Sequence, residues 1–102
     1  MKHLFWRIRG HDGFKDTFDK TVALGQFSDE QMKHLLRALT AKAGLSEHEI
    51  VGAYAKRKTK IANDLLDVHR DFRYPTYTCG DGPAFTASVV DEHGKITRHP
   101  TL

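Results

Sequence analysis

Two helix-start signals, separated by one helix length, constrain the fold of this chain more than any other feature. Ser28 with Gln31, and Ser46 with Glu49, each have capping-box spacing, in which two side chains bond the free backbone N–H groups of a helix start. After the first signal, apolar residues recur every three or four positions, and Gly44 offers a helix end. The sequence therefore predicts two consecutive helices joined by a short connection.

The second of these helices is predicted to be long, as the third helix of the chain. Its positions step by three and four residues, as in a helix that buries one side, when Lys58 is counted among the apolar ones. This apolar seam consists of Val51, Tyr54, Ile61, Leu65 and Val68. Asn63 and Asp64 mark a place where the helix could bend or end early. The seam serves either the core or an interface with a partner, and we expect packing inside the domain.

The N-terminal segment is predicted to form one strand followed by the first helix. In residues 3–9, Leu4, Trp6 and Ile8 fall on one face of a strand. Asp12 is a suitable N-cap for the helix that follows. A spacing of four residues then places three apolar side chains on one helical stripe: Phe14, Phe18 and Val22.

The C-terminal third is predicted to hold a loop and a β-hairpin. Residues 72–83 are rich in glycine, proline and tyrosine, which indicates a loop. Residues 84–90 are rich in β-formers, 91–94 have turn chemistry, and 95–99 could return as a second strand. The expected fold is α+β with the order β-α-α-α-β-β, a short antiparallel sheet with three helices packed on one face and the N-terminal strand joining the hairpin. We expect residues 1–102 to form a single globular domain.

Composition excludes several classes of protein. The chain has 102 residues and a single cysteine, so an internal disulfide framework and a cysteine-only zinc site are excluded. Lys and Arg number 16 against 13 Asp and Glu, and the resulting net charge of +3 permits an anionic partner without requiring one. No apolar run approaches the roughly 20 residues of a membrane span, and no targeting segment is apparent. We expect a cytoplasmic protein that does not act at a membrane and needs no cofactor.

Residues 36–54 resemble the helix-turn-helix of phage-repressor-type DNA-binding proteins. The resemblance rests on the spacing of Leu39, Ala43, Gly44, Leu45, Ser46 and Ile50. It implies that small Ala43 lets the two helices approach, Gly44 makes the turn and Ser46 caps a recognition helix. On such a helix, His48 could donate a hydrogen bond to a base edge.

A basic run follows this segment. It consists of Lys56, Arg57, Lys58 and Lys60. Lys58 also lies on the apolar seam, where its stem could cover the edge of the core. Further arginines could extend the patch if the fold brings them near: Arg7, Arg9, Arg70 and Arg73. The residues predicted to contact a nucleic acid or an acidic protein surface are His48, Lys56, Arg57 and Lys60, and the alternative is a solvated basic surface without a partner.

A second candidate site lies in the loop at residues 74–83. Its possible ligand-binding residues are Tyr74, Tyr77, Cys79 and Asp81. The tyrosines offer flat amphipathic surfaces, and the glycines beside Asp81 could expose backbone amide donors. A nucleophilic Cys79 would need a histidine base, and no spacing selects one, so we predict no catalytic residue. We also predict no metal site, because no histidine pair has zinc-site spacing.

These observations favour a small non-enzymatic binding or regulatory module that contacts nucleic acid through the basic third helix. The expected mechanism is phosphate neutralisation with little base readout. A first alternative is a protein-interaction module or homodimer that uses the apolar seam. A second alternative is a ligand-binding or catalytic domain that uses the loop at 74–83.

Overall fold

A computed structural model describes residues 3–71, 76–80 and 82–97 of the protein. Its strands are β1 at Leu4–Asp12, β2 at Lys15–Ala23, β3 at Val68–Asp71, β4 at Thr76–Gly80 and β5 at Pro83–Asp91. Helix α1 spans Asp29–Gly44 and helix α2 spans Glu47–Tyr54, after a short 3-10 turn at Leu24–Gln26. The strands form one antiparallel sheet of five strands in the order β2-β1-β5-β4-β3.

The observed order of elements is β-β-α-α-β-β-β, so the predicted β-α-α-α-β-β order with three helices on a short sheet is wrong. The α+β class is correct. Two helical predictions fail, because the expected first helix is strand β2 and the end of the expected third helix is a loop followed by β3. The predicted loop at 72–83 contains strand β4. The N-terminal strand does pair with the predicted C-terminal strand, β1 with β5.

β1 and β2 form a hairpin where the first helix was predicted. Gly13 has a φ of 62° and takes the first central position of the turn, a conformation that suits glycine in a tight hairpin. Phe14 is the other turn residue and is fully exposed. A spacing of four is also an even spacing, so Phe18 and Val22 share one face of a strand as readily as one side of a helix.

Helix α1 forms where it was predicted and covers one face of the sheet. The Gln31 N–H donates to Ser28 Oγ at 3.1 Å, and the Ser28 N–H donates to Gln31 Oε1 at 2.9 Å, which completes the capping box. Residues one turn apart, Met32, Leu36 and Thr40, are buried on the side of α1 that packs against β4 and β5. This stripe makes α1 the cover of the sheet.

The core lies between α1 and the sheet. Trp6 and Ile8 are buried on β1, on the face predicted from the sequence, and Leu4 packs at the margin. The other sheet residues of the core are Tyr77, Cys79, Phe85, Ala87 and Val89. Trp6 Nε1 donates to the Phe27 carbonyl at 3.1 Å, which pairs the indole N–H inside the core. Among the described residues, neither helix is long and apolar enough to cross a lipid bilayer.

The chain turns after β5 at the predicted position. Asp91 Oδ1 accepts hydrogen bonds from the backbone N–H groups of Lys95 and His93, both at 2.9 Å. These bonds, with that of Lys95 the stronger influence, hold the pKa of Asp91 below its usual value. The returning segment is reduced to a single bridge between Val90 and Ile96. The last two residues of the predicted return strand, 98 and 99, lie outside the described residues.

Candidate functional site

Helix α2 is shorter than predicted because the chain folds back onto its C-terminus. The Asn63 N–H donates to the Gly52 carbonyl at 3.1 Å, and Asn63 Nδ2 donates to the Glu49 carbonyl at 3.0 Å. The Gly52 carbonyl is one of the last four of the helix, which lack a partner within it and need another donor. The predicted extension of this helix to Val68 is therefore wrong, and residues 55–67 form a series of turns that leads into β3.

Gly52 permits this close return of the chain. It is buried, and a Cβ built on it would collide with the Ile61 carbonyl oxygen and lie 2.5 Å from Asn63 Nδ2. Only a residue without a side chain leaves room for backbone at that distance. The absence of a Cβ at Gly52 thus holds Ile61 and Asn63 against the helix.

Residues 56–60, called the basic loop below, lie between two residues that hydrogen-bond to the same carbonyl, that of Gly52. The N–H groups of Ala55 and Asn63 both donate to the Gly52 oxygen, at 3.2 and 3.1 Å. Within the loop, the Thr59 hydroxyl donates to the Lys56 carbonyl at 2.7 Å. Lys58 has a φ of 71°, a left-handed conformation that costs a side-chain-bearing residue about 1–2 kcal/mol. The basic run therefore lies on a compact loop, and its predicted placement on a third helix is wrong.

The basic loop concentrates positive charge that is only partly neutralised. Its cationic residues are Lys56, Arg57, Lys58 and Lys60, and all are exposed. Arg57 Nη2 lies 3.2 Å from Asp67 Oδ2, an exposed pair that stabilises the fold little. Within residues 3–71, 76–80 and 82–97, no carboxylate lies within ion-pair distance of the three lysines. The basic loop thus carries three lysines after the end of α2 that have no carboxylate partner in the described part of the chain.

Part of the apolar seam is exposed beside the basic loop. Val51 is 61% exposed, Tyr54 63% and Ile61 62%. We call these three residues the apolar patch. Val51 and Tyr54 are neighbours on one side of α2. The carbonyl of Ile61 lies against Gly52 of the same helix. The rest of the seam, Leu65 and Val68, is half-buried, so the expectation that the whole seam packs inside the domain is met only in part.

The helix-turn-helix resemblance predicts the two capped helices but not the roles of the turn residues. Gly44 does not have a positive φ; a Cβ there would lie 2.7 Å from Pro83 Cγ, so this glycine serves packing against β5. Ala43 is exposed, so it is not buried in a contact between the two helices. Ser46 does cap α2, since its Oγ accepts from the Glu49 N–H at 3.2 Å.

The surface of α2 is poorly suited to read a DNA groove. Its sequence holds no Lys or Arg, and Glu47 and Glu49 lie in its first turn. The Ser46 N–H donates to the Glu49 carboxylate and keeps the pKa of that group below its usual value, so the charge persists. His48 is exposed in the same turn, at the opposite end of α2 from the basic loop. His48 and the loop lysines therefore do not form one cluster.

The arginines that could have extended the patch lie elsewhere. Arg7 and Arg9 are on β1, where Arg7 contacts Asp19 at 2.8 Å and Arg9 contacts Asp16 at 3.3 Å. Arg70 is exposed on β3, and Arg73 lies outside the described residues. Two of the four arginines thus form ion pairs with carboxylates of β2, which is the edge strand opposite β3.

The structure describes two of the four proposed ligand residues at 74–83. Tyr77 and Cys79 belong to the core, and Tyr74 and Asp81 lie outside the described residues. Burial raises the pKa of the Cys79 thiol, which disfavours the thiolate that a nucleophile needs. The Tyr77 hydroxyl donates to Asp29 Oδ2 at 2.7 Å and so ties β4 to the start of α1.

The buried Tyr77 predicts a loss of stability at alkaline pH. Burial, and next the hydrogen bond to Asp29, raise the pKa of Tyr77 to about 12 from the value near 10 expected in the unfolded chain. Since the folded state keeps its proton more tightly, this stabilisation is complete below pH 10 and disappears as the pH rises to 12. Urea titrations at pH 9 to 12 should show a loss of about 2 kcal/mol that Tyr77→Phe lacks. Equal alkaline losses in both proteins would contradict it.

A cleft of about 370 Å³ lies between α1, the loop after α2 and the ends of β3 to β5. Its titratable residues are Asp64, Asp67 and His69, and Thr40 and Leu45 line it from the α1 side. Among the described residues no group of His, Cys, Asp and Glu side chains has the arrangement of a metal site. Asp67 is also the partner of Arg57. The described residues of the cleft thus form no metal-binding group.

The residues that build the site were only partly visible in the sequence. The sequence indicates Asn63 as a point where the helix could end, but the contacts of Asn63 with Glu49 and Gly52 join residues distant in the chain. The sequence places Lys58 on the seam, and its actual place in the loop depends on the same return of the chain to α2.

Comparison of the chain with models of protein families, with curated proteins and with solved structures finds no match.

Proposed function

We propose that this protein is a non-enzymatic nucleic-acid-binding module whose basic loop holds the phosphate backbone. The observation that carries the proposal is the closure of residues 55–63 on the Gly52 carbonyl, which confines Lys56, Lys58 and Lys60 to one short loop. Among the described residues, none of these lysines has a carboxylate partner. Lysines held this way release bound counterions when they meet a polyanion, and this release drives non-specific binding.

The shape of the loop supports the same function. Because the loop is closed at its base, binding has less loop entropy to remove than it would in a free basic tail. Lys58 is held in a left-handed conformation that a glycine would adopt more easily. Strained residues of this kind are found at functional sites, where the surrounding contacts maintain them. The loop therefore combines concentrated charge with a fixed conformation.

The proposed mechanism is phosphate neutralisation, and Arg57 has a different part in it. Its guanidinium pairs with Asp67, and this contact ties the loop to the segment before β3. The acidic first turn of α2 disfavours its insertion into a groove lined by phosphates. We therefore expect little discrimination among base sequences.

The test compares two triple variants with the same change in net charge. Lys56→Ala/Lys58→Ala/Lys60→Ala removes the charge of the basic loop. Lys15→Ala/Lys20→Ala/Lys95→Ala removes three exposed lysines of β2 and the turn after β5, away from the loop. Fluorescence anisotropy with labelled oligonucleotides at about 50 mM salt should show micromolar binding by the wild type and the control.

The loop variant is expected to bind at least roughly tenfold more weakly, because each lost phosphate contact removes a released counterion. Circular dichroism should show all three proteins folded, since substitutions at exposed positions change stability by about 0.5 kcal/mol or less. Wild-type protein that does not bind at low salt would contradict the proposal, as would equal weakening by both variants. In the first case, an acidic protein surface becomes the better partner for the loop.

A further inference from the structure

We infer that the ligand of the basic loop is a single-stranded nucleic acid, one of whose bases stacks on the ring of Tyr54. This inference rests on the proposed function and adds the class of nucleic acid and a further contact residue. Tyr54 is the last residue of α2 and lies two residues before Lys56. Because two residues span at most about 7 Å of backbone, a strand held by Lys56 passes close to position 54.

Tyr54 has the properties of a stacking platform. Its side chain is 63% exposed, although tyrosine is a residue whose large apolar surface is usually well covered. Within the described part of the chain, its hydroxyl has no hydrogen-bond partner and its ring has no aromatic or cationic neighbour. The C-terminal position on α2 is fixed by the bonds to Gly52 at the base of the loop. The ring is thus available to a ligand, and hydrogen bonds to Gly52 fix the backbone that carries it.

The positive charge of the basic loop indicates which kind of ligand covers the apolar patch. Tyr54 and Ile61 flank the basic loop in the chain, and the described residues hold no carboxylate partner for its three lysines. An uncharged apolar partner would therefore leave the charge of the lysines without a counterpart. A single strand offers both complements, because its phosphates meet the lysines and its unpaired bases have flat apolar faces. Sites that bind single strands without sequence preference combine these same two elements.

A duplex offers phosphates to the lysines but no free base to stack on the ring of Tyr54. Its bases are stacked on one another inside the helix, and their edges are reached only through the grooves. The element next to the loop, α2, presents Glu47 and Glu49 rather than cations at its N-terminal turn. The loop would then contact only the outer phosphates of a duplex, and the apolar patch would stay uncovered.

The test measures how Tyr54 variants bind three labelled ligands at about 50 mM salt. The ligands are a thymidine strand of about 16 nucleotides, an abasic strand of the same length, and a duplex of that length. The variants are Tyr54→Ala, Tyr54→Phe and, as a control that removes an exposed aromatic ring from the turn between β1 and β2, Phe14→Ala. Tyr54→Phe keeps the stacking ring and loses only the hydroxyl.

Tyr54→Ala should bind the thymidine strand roughly tenfold more weakly, the size of one base–aromatic stack, and the abasic strand unchanged. Tyr54→Phe and Phe14→Ala should bind the thymidine strand within about twofold of the wild type. The wild type should prefer the thymidine strand to the duplex.

The inference is overturned if Tyr54→Ala binds the thymidine strand as the wild type does, or if it weakens abasic and thymidine strands equally. It is also overturned if sedimentation shows a wild-type dimer that Tyr54→Ala converts to a monomer, since the patch would then be an interface between copies. Failure of the lysine variant to weaken binding would instead contradict the proposed function, so the two failures are distinguishable.

Discussion

Replacing Gly52 with alanine is expected to destabilise the protein by about 3 kcal/mol. In an exposed helix the same change stabilises by about 1 kcal/mol, because glycine loses more backbone freedom on folding. Here the new Cβ would collide with the Ile61 carbonyl oxygen and lie 2.5 Å from Asn63 Nδ2. Backbone cannot move aside as a flexible side chain can, so the clash breaks the bonds from Asn63 or shifts α2.

The free energy of unfolding of Gly52→Ala, measured in urea, tests this expectation. Gly25→Ala is the matched control, because no heavy atom lies within 4 Å of its added Cβ, and its stability should change by about 0.5 kcal/mol or less. The Gly52 variant should also bind nucleic acid more weakly, since the basic loop is no longer closed. A Gly52→Ala protein as stable as the wild type would contradict the account of the loop.

Trp6→Ala is expected to lower the free energy of unfolding by about 3–5 kcal/mol, the largest effect of a single substitution. Trp6 is fully buried between α1 and the sheet, where its ring centroid lies 6.2 Å from that of Tyr77. The substitution leaves a cavity and removes the donor to the Phe27 carbonyl. A loss of this size is a large part of the free energy of unfolding of a domain, which is about 5–15 kcal/mol.

Phe5→Ala is the control for the Trp6 variant, because the neighbouring Phe5 lies on the opposite face of β1 and is only half-buried. Urea unfolding should show a clearly smaller loss for Phe5→Ala than for Trp6→Ala. Equal losses would place as much of the core on the open face of the sheet as beneath α1, against the packing described above.

The sequence predicts elements whose signals are local. Both capping boxes form, because each depends on residues within one helical turn. The alternation of Trp6 and Ile8 predicts β1 because a strand buries every second residue. Local signals fail where two periods coincide, as at Phe18 and Val22, whose spacing of four fits one face of either a helix or a strand.

Long-range contacts decide the elements that the sequence does not predict. The seam from Val51 to Val68 has helical spacing throughout, yet α2 ends at Tyr54 because Asn63 returns to Gly52. Tyr77 and Cys79 stand among turn-forming residues, but the sheet pairs their strand with β5 and buries both side chains. Such pairings depend on residues far apart in the chain, which a local pattern does not encode.

The candidate site follows the same division. The basic run was visible in the sequence, and Lys56, Arg57 and Lys60 remain in the site as it is proposed here. Its geometry was not visible, because the predicted helix would have spread these cations around its circumference. Closure of the loop by Asn63 places Lys58 on the loop with the other cations, and Tyr54 is exposed at the end of α2 just before it. His48, predicted as part of the site, lies at the other end of α2.

The salt dependence of binding tests the central claim most directly. Affinity for a single strand should be measured between about 50 and 200 mM salt for the wild type and for Lys56→Ala/Lys58→Ala/Lys60→Ala. If the three lysines contact phosphates, the slope of log affinity against log salt should be smaller in the variant by about 2, since each single-strand contact contributes about 0.7. Equal slopes in the two proteins would show that these lysines do not contact the phosphates and would contradict the proposed function.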